Sequence, residues 1–243
     1  MNTLVNQALA PLGVRIVREP KPLGAAEPAG GAGTGEIAPF FPHVPHRGRW
    51  EIPADLASRR EAWAVQLCRL YGRPASWPAS IAPEVGMLIH ALVRNLRPTT
   101  VVETGTCLGA STIWIASALA MTTGGTVHTF DMFDEPGDAR LRAAALFQDR
   151  ERKVRARFKR AGLARHIEVH VGPSADNIKA VRDRLAAAGG VELAFIDADH
   201  TPRGVALDVA AVEPVLRVGG YMLFHDVFPG PSSHLGPREI VDH

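Results

Sequence analysis

Acidic side chains stand at the ends of four short apolar runs in the sequence. They are Glu103, Asp131, Asp197 and Asp226, the last preceded by His225. If these runs are strands of one parallel sheet, their carboxyl ends meet at one edge, where open α/β sheets bind their ligands. Carboxylates at such an edge are costly to bury unless a cation, a hydroxyl group or a metal ion pairs with them. The four positions therefore predict a polar ligand site.

A glycine-containing turn follows Glu103. Its glycines, Gly105 and Gly109, let the backbone turn sharply and approach a ligand closely. A helix predicted from about Ser111 directs its unpaired N–H groups to the same place. The spacing fits neither a dinucleotide fingerprint nor a phosphate-binding loop. A carboxylate beside the turn suits a ligand with a cationic end, such as S-adenosylmethionine, and we expect these residues and Thr106 to bind that cofactor.

The next strand ends supply further residues for this predicted cofactor. Asp131 is placed to accept hydrogen bonds from both ribose hydroxyls, and Met132 offers an apolar face to adenine. Ser174 follows the third strand and is predicted to meet the adenine edge, while Asp197 is placed beside the cofactor as well. The alternative for Asp131 is that its side chain only caps a turn or helix.

Composition limits the class of protein. The chain has 243 residues, 46% of them hydrophobic and 21% charged, which is typical of one large globular domain. A net charge of +2 is too weak to indicate nucleic-acid binding, and two cysteines are too few for a disulfide framework or a zinc site. No apolar run reaches the length of a membrane span, and no signal segment is recognisable. We expect a soluble, cytoplasmic protein without a nucleic-acid or membrane partner.

The chain divides into three predicted segments: an N-terminal arm and flexible linker over 1–47, a helical region near the substrate over 48–98, and a cofactor-binding core over 99–243. Alternating strands and helices in the core predict a doubly wound, Rossmann-like, mostly parallel sheet flanked by helices. The predicted strands are 100–104, 126–131, 166–171, 191–197 and 221–226. The predicted helices are 2–10, 54–71, 83–95, 111–121, 138–161, one that ends near 188, and 203–216.

The predicted helix over 138–161 is strongly basic on one face. Phe147, Val154 and Phe158 are spaced to form its buried stripe. A nucleic-acid surface is one interpretation of the basic face, but no aromatic residues are interleaved there, so a solvated face is favoured. The basic residues are Arg150, Arg152, Lys153, Arg157, Lys159 and Arg160.

From about residue 83 onward the motifs resemble a known family. They are VVETGTCLGAS, TFD, VGPSAD, FIDADH and VGGYMLFHD. In this order they are similar to class I S-adenosylmethionine-dependent methyltransferases, in particular the catechol O-methyltransferase-like branch and bacterial relatives that methylate macrolide sugars. The resemblance implies methyl transfer to a hydroxyl of a small molecule, such as a sugar diol or a catechol-like ring in secondary metabolism.

The same resemblance implies a metal ion and a general base. Asp197 and Asp226 match the carboxylates that hold Mg²⁺ in relatives, whereas His225 stands near the third ligand and also suits Mn²⁺, Fe²⁺ or Zn²⁺. His200 stands where relatives carry a lysine or histidine base. Asp199 is a rival base, and the alternative for His200 is that it only caps the following helix.

Members of this family usually continue past the fifth strand into a helix and a β-hairpin, and we expect this hairpin to be missing here. The missing hairpin would expose a sheet edge, and either the N-terminal arm or a second copy in a homo-oligomer could cover it. Three other functions stay open: a metal-independent methyltransferase, a protein like the cephalosporin hydroxylases, and a non-catalytic cofactor-binding module.

Overall fold

The computed structural model describes residues 49–77, 79–136, 139–228 and 236–242, together with the backbone of Arg15–Val17. The predicted helix over 2–10 and most of the predicted linker lie outside these residues. Among the residues described, no helix is both long enough and apolar enough to cross a membrane.

A twisted sheet organises the described part of the chain. Its strands are β1 (Arg15–Val17), β2 (Thr100–Thr104), β3 (Thr126–Asp131), β4 (Ile167–Val171), β5 (Val191–Ile196) and β6 (Leu216–Phe224). They lie in the order β1-β6-β5-β2-β3-β4, with β2 to β6 parallel and β1 antiparallel to β6. The five predicted strands and the predicted doubly wound fold are confirmed.

Helices cover both faces of the sheet. They are α1 (Ala54–Ser58), α2 (Ala62–Tyr71), α3 (Pro83–Leu96), α4 (Ala110–Ala120), α5 (Ala139–Ala143), α6 (Arg150–Arg160), α7 (Ser174–Ala180), α8 (Arg182–Ala187), α9 (Pro202–Val212) and α10 (Gly236–Asp242). Alternate strand residues point to opposite layers, as the two-residue period of a strand requires. Val101 of β2 packs in the layer with α3 and α4, and Val102 packs in the layer with α7 and α9.

Several predicted element boundaries were wrong. The predicted helix over 54–71 is two helices, because Arg59 is extended. The predicted helix over 138–161 is also two, separated by a turn that ends at Asp149 in the left-handed region (φ 49°). The helix that ends near 188 is interrupted at Val181, and the last strand begins at Leu216 rather than at 221.

The predicted solvated basic face is only partly correct. Phe147, Val154 and Phe158 are buried as expected. Arg157, however, is also buried, at 8% exposure, and its guanidinium donates to the backbone oxygen of Leu108. Arg150 pairs with Asp131 and is equally withdrawn from solvent. Two of the six basic residues thus hold the turn and strand ends in place.

Strand β1, the described part of the N-terminal arm, covers the edge of the sheet beside β6. Ile16 lies opposite Leu223 in the antiparallel pairing of β1 with β6. This is one of the two covers expected from the sequence. The predicted lack of a C-terminal hairpin remains a prediction, because residues 229–235 lie outside the described part of the chain.

Candidate functional site

Glu103, the penultimate residue of β2, is a fully buried carboxylate. Its Oε2 accepts hydrogen bonds from Thr112 Oγ1 at 2.5 Å and from Thr129 Oγ1 at 2.6 Å. Burial raises the pKa of Glu103 to about 7, although these hydroxyls and that of Ser111 favour the charged form. Glu103 therefore ties the turn and the start of α4 to β3, and its predicted contact with a cofactor remains a prediction.

The turn after Glu103 is made possible by its two glycines. Gly105 has φ 90°, and a Cβ there would lie 2.1 Å from the backbone oxygen of Asp197. Gly109 has φ 78°, and its Cβ would meet the ring of Phe158 at 2.7 Å. Any larger residue at either position would therefore push the turn away from β5 or α6. This close fit places the predicted cofactor turn directly beside Asp197.

Asp131, at the end of β3, is nearly saturated with donors. Its Oδ2 accepts from the N–H of Cys107 at 2.6 Å, and its Oδ1 accepts from the N–H of Phe133 at 2.6 Å and from Arg150 at 3.0 Å. An ionised carboxylate offers about four lone-pair sites, so one of them, on Oδ2, is left for another hydroxyl. Met132 follows with half of its surface exposed, as an apolar face for adenine requires.

Two other predicted cofactor residues direct their hydroxyls into the protein. Thr106 is buried, and its Oγ1 lies 2.5 Å from Thr129 Oγ1. Ser174 begins α7 and donates to a carboxylate oxygen of Asp208 on α9. Asp208 is 2% exposed, and burial raises its pKa. Asp208 could not be predicted from the sequence, because nothing in the α9 sequence distinguishes it from an ordinary surface acid.

Two acids and two histidines meet where β5 and β6 end. Ile196 and Phe224 are paired across the strands, so the residues that follow them are neighbours. His225 Nδ1 lies 3.1 Å from Asp197 Oδ1 and 3.3 Å from Asp226 Oδ2. His200 Nε2 lies 3.2 Å from Asp226 Oδ2 and 3.5 Å from Asp197 Oδ1. We call Asp197, His200, His225 and Asp226 the acid–histidine cluster.

The electrostatics of the cluster favour positive charge between the two carboxylates. Burial lowers the pKa of His200, but hydrogen bonds and charges from Asp197 and Asp226 outweigh burial and raise the pKa to about 9. The same carboxylates raise the pKa of His225 well above its ordinary value, also against burial. Burial raises the pKa of Asp226, but the hydrogen bonds and charges of the two histidines outweigh burial and hold the pKa far below its usual range.

The donor set of the cluster fits a divalent cation. Asp197, His225 and Asp226 each direct one ligand atom to a common point, with the atoms within 4.8 Å of one another. Asp226 also adopts φ 53°, a left-handed conformation that costs a non-glycine residue free energy and that is enriched at active sites. The three predicted metal ligands are therefore brought together.

The two predicted bases are placed differently. His200 lies in the cluster, whereas Asp199 is exposed and its Oδ1 accepts from the N–H of Thr201 at 2.8 Å. Thr201 is the N-cap of α9, since its hydroxyl accepts from the N–H of Gly204 at 3.1 Å. His200 therefore does not cap the helix.

A family model described as a methyltransferase domain matches residues 102–227, just over half of the chain. The chain belongs to this methyltransferase family. The resemblance found in the sequence motifs is thus confirmed at the level of the family, and the matched region contains both the glycine turn and the acid–histidine cluster.

Curated relatives of this methyltransferase include two catechol O-methyltransferases. The protein from Niastella koreensis is 27% identical over 129 residues, which are 53% of this chain and 50% of the relative. The protein from Mycobacterium tuberculosis is 27% identical over 157 residues, which are 60% of this chain and 62% of the relative. The chain thus spans about half to three fifths of the length of these relatives.

A solved structure confirms the methyltransferase fold. The O-methyltransferase TomG from Streptomyces achromogenes, which is involved in tomaymycin synthesis and was solved in complex with SAM, superposes with a TM-score of 0.53. The two sequences are 23% identical, and the match covers 76% of each chain.

Proposed function

We propose that this methyltransferase transfers a methyl group from S-adenosylmethionine to a hydroxyl of a small molecule, with assistance from a divalent metal ion. The observation that carries the proposal is the contact between the glycine turn and the acid–histidine cluster, in which Gly105 packs directly against the backbone of Asp197. A cofactor held at the turn would therefore lie beside an ion held by the cluster.

The cofactor supplies an electrophilic methyl group, and the residues of the turn bind and orient it. Asp131 has one lone pair left for a ribose hydroxyl, and the exposed Met132 offers an apolar contact to adenine. Binding of both ribose hydroxyls would require Arg150 to leave Oδ1 of Asp131. Methyl transfer needs in-line positioning more than covalent help, so fixing the cofactor against the cluster is the main contribution of the fold.

In this proposal Asp197, Asp226 and His225 hold the metal ion. Two carboxylates suit Mg²⁺, whereas the imidazole of His225 favours Mn²⁺, Fe²⁺ or Zn²⁺. A bound divalent ion would lower the pKa of a coordinated substrate hydroxyl. Asp197 and Asp226 raise the pKa of His200 to about 9, but a divalent cation held by the same carboxylates would favour the neutral imidazole. Neutral His200, 3.2 Å from Asp226, would then be placed to accept the proton of that hydroxyl, whereas Asp199 holds the start of α9.

The proposed substrate is a diol or a catechol-like ring. Two oxygens on adjacent carbons could both approach one ion between Asp197 and Asp226, and two curated relatives carry the name catechol O-methyltransferase. A role in secondary metabolism is proposed by analogy with TomG, which is involved in tomaymycin synthesis.

The first experiment is a calorimetric titration with S-adenosylhomocysteine in Mg²⁺, in Mn²⁺ and in chelator, followed by turnover on a panel of catechols and sugar diols. We expect micromolar binding and turnover that the chelator abolishes. Asp197→Ala should lower turnover at least about a hundredfold, because the ion contributes several kcal/mol of charge stabilisation. Asp183→Ala, a fully exposed acid on α8, is the matched control.

The outcomes separate the alternatives. Full activity in chelator would identify a metal-independent methyltransferase. Tight binding without turnover on any hydroxyl would favour a cofactor-binding module. Loss of turnover in His200→Gln with retention in Asp199→Asn would support His200 as the base, and the opposite result would transfer that role to Asp199.

A further inference from the structure

Two histidines and a glutamate converge on the other half of the sheet, on β3 and β4. His128 lies directly opposite Glu168 in the strand register, and His170 follows two residues later on the same face. His128 Nδ1 is 3.3 Å from His170 Nε2. The carboxylate of Glu168 spans the pair, with Oε2 at 3.5 Å from His128 Nδ1 and Oε1 at 3.6 Å from His170 Nε2.

These separations match those between ligands of a tetrahedral ion. Zinc bonds of about 2.0–2.2 Å to nitrogen and oxygen place neighbouring ligand atoms about 3.3–3.5 Å apart. The distance between the two nitrogens, 3.3 Å, lies in this range. One donor atom from each of the three residues lies within 4.8 Å of the others, and rotation of the Glu168 side chain would bring a single oxygen close to both nitrogens. An ion could therefore enter between the two imidazoles and Glu168 without movement of either strand.

The imidazoles are held in place by stacking. The ring of His170 lies on Phe130 at 4.3 Å with an interplanar angle of 10°, and the ring of His128 stacks on His170 at 5.6 Å and 24°. The histidine side chains are only 10% and 12% exposed, whereas Glu168 is 39% exposed. The cluster is thus rigid on the protein side and open to solvent beside the carboxylate, as an entry path requires.

We propose that His128, Glu168 and His170 form a second metal site, which takes a transition-metal ion of the zinc type with water as its fourth ligand. Two imidazoles and a carboxylate suit Zn²⁺, Co²⁺ or Ni²⁺ better than Mg²⁺. The ion would join β3 to the edge strand β4, and its role is structural. The site does not depend on the proposed methyl transfer, because β2 lies between β3 and the strands β5 and β6 that carry the acid–histidine cluster.

Arg184 of α8 forms an ion pair with Glu168 and should weaken metal binding at the site. Its Nη2 donates to Glu168 Oε1 at 2.5 Å, so a positive charge already occupies one side of the carboxylate. A cation at the site is repelled by this guanidinium. Because the arginine side chain is 53% exposed, its removal should leave the fold intact and should tighten metal binding about two- to fivefold, the range of a surface ion pair.

The test uses the untagged full chain and Co²⁺, whose tetrahedral complexes absorb strongly in the visible. Asp197→Asn with Asp226→Asn removes the carboxylates of the other cluster. This double variant should bind one Co²⁺ with a tetrahedral spectrum, and Zn²⁺ should displace it. Adding His128→Asn and His170→Asn should abolish the spectrum, whereas Arg184→Ala alone should lower the dissociation constant.

If His128, Glu168 and His170 only hydrogen-bond one another and bind no metal ion, the opposite results are expected. No tetrahedral spectrum in the Asp197→Asn, Asp226→Asn variant, or the same spectrum after both histidines are replaced, would overturn the proposal. If the histidine variants fail to fold, the Arg184→Ala measurement still decides. Zn²⁺ should also raise the melting temperature of Arg184→Ala more than that of wild type, because binding to the native state alone stabilises it. Equal shifts would contradict the site.

Discussion

Glu103 is a residue that the sequence predicts to bind a ligand and that the fold uses to join its own elements. Its position beside the glycine turn predicted a contact with a cationic ligand. In the structure it is buried and accepts hydrogen bonds from Thr112 and Thr129. Periodicity alone does not reveal this, because the two hydroxyls come from α4 and β3 and meet Glu103 only after the sheet has formed.

We expect Glu103→Gln to change the pH dependence of stability. The folded-state pKa of about 7 lies above the ordinary value of 4.5, so the native state binds more protons between these values and wild-type stability falls as pH rises through this window. The variant lacks this cost. The free energy of unfolding of Glu103→Gln minus that of wild type should therefore rise by on the order of 2 kcal/mol between pH 5 and pH 8.

Urea unfolding at the two pH values measures this difference, and groups that titrate in both proteins cancel. Glu192→Gln is the matched control. Burial raises the pKa of Glu192, but hydrogen bonds from Thr99 and Thr100 and the charge of Arg217 lower it below its ordinary value. Glu192 is therefore ionised in both the folded and the unfolded state above that value. The difference in the free energy of unfolding between Glu192→Gln and wild type should be flat from pH 5 to pH 8. If the difference in the free energy of unfolding between Glu103→Gln and wild type does not change with pH, Glu103 is ionised in the folded protein from pH 5 to pH 8.

At the scale of elements, the strands were more predictable than the helices. The runs that form β2, β3 and β5 are largely buried, and each has an acid at its last residue or next to it, so their bounds follow from the sequence. The helix breaks do not. Arg59 is extended and Asp149 is left-handed, and neither position carries a glycine or proline that would mark a break in the sequence.

Arg157 tests how α6 supports the glycine turn. Burial lowers the pKa of its guanidinium to about 10, and the group donates to the backbone of Leu108 within the turn. Arg157→Ala should lower the free energy of unfolding by about 2–3 kcal/mol, the value of a buried hydrogen bond to a charged group, and should weaken S-adenosylhomocysteine binding. Arg160→Ala, on the same helix but exposed, should change either quantity little. Chemical unfolding and calorimetry measure both. If the two variants have equal effects, Arg157 supports the turn no more than an exposed arginine does, as a solvated basic face would require.

At the scale of the whole molecule, the first described strand, β1, pairs with the last strand, β6. The parallel order of β2 to β6 follows from the alternation of strands and helices, but the pairing of Arg15–Val17 with β6 joins residues about 200 positions apart. A three-residue strand has too little pattern to be predicted on its own. The sequence showed only that the edge needed a cover.

This pairing predicts that the N-terminal arm protects the sheet edge. Ile16→Pro removes a backbone N–H and should open the pairing with Leu223, whereas Ile16→Thr keeps the donor and suits a strand. Hydrogen exchange of the β6 amides should accelerate in the proline variant alone. An uncovered edge is also a template for pairing with another chain, so light scattering should show association of Ile16→Pro at concentrations where Ile16→Thr has the size of wild type. If the β6 amides of Ile16→Pro exchange as slowly as those of wild type, the arm does not cover this edge. If the wild-type protein is then also found to be a dimer, a second copy of the chain covers the edge instead.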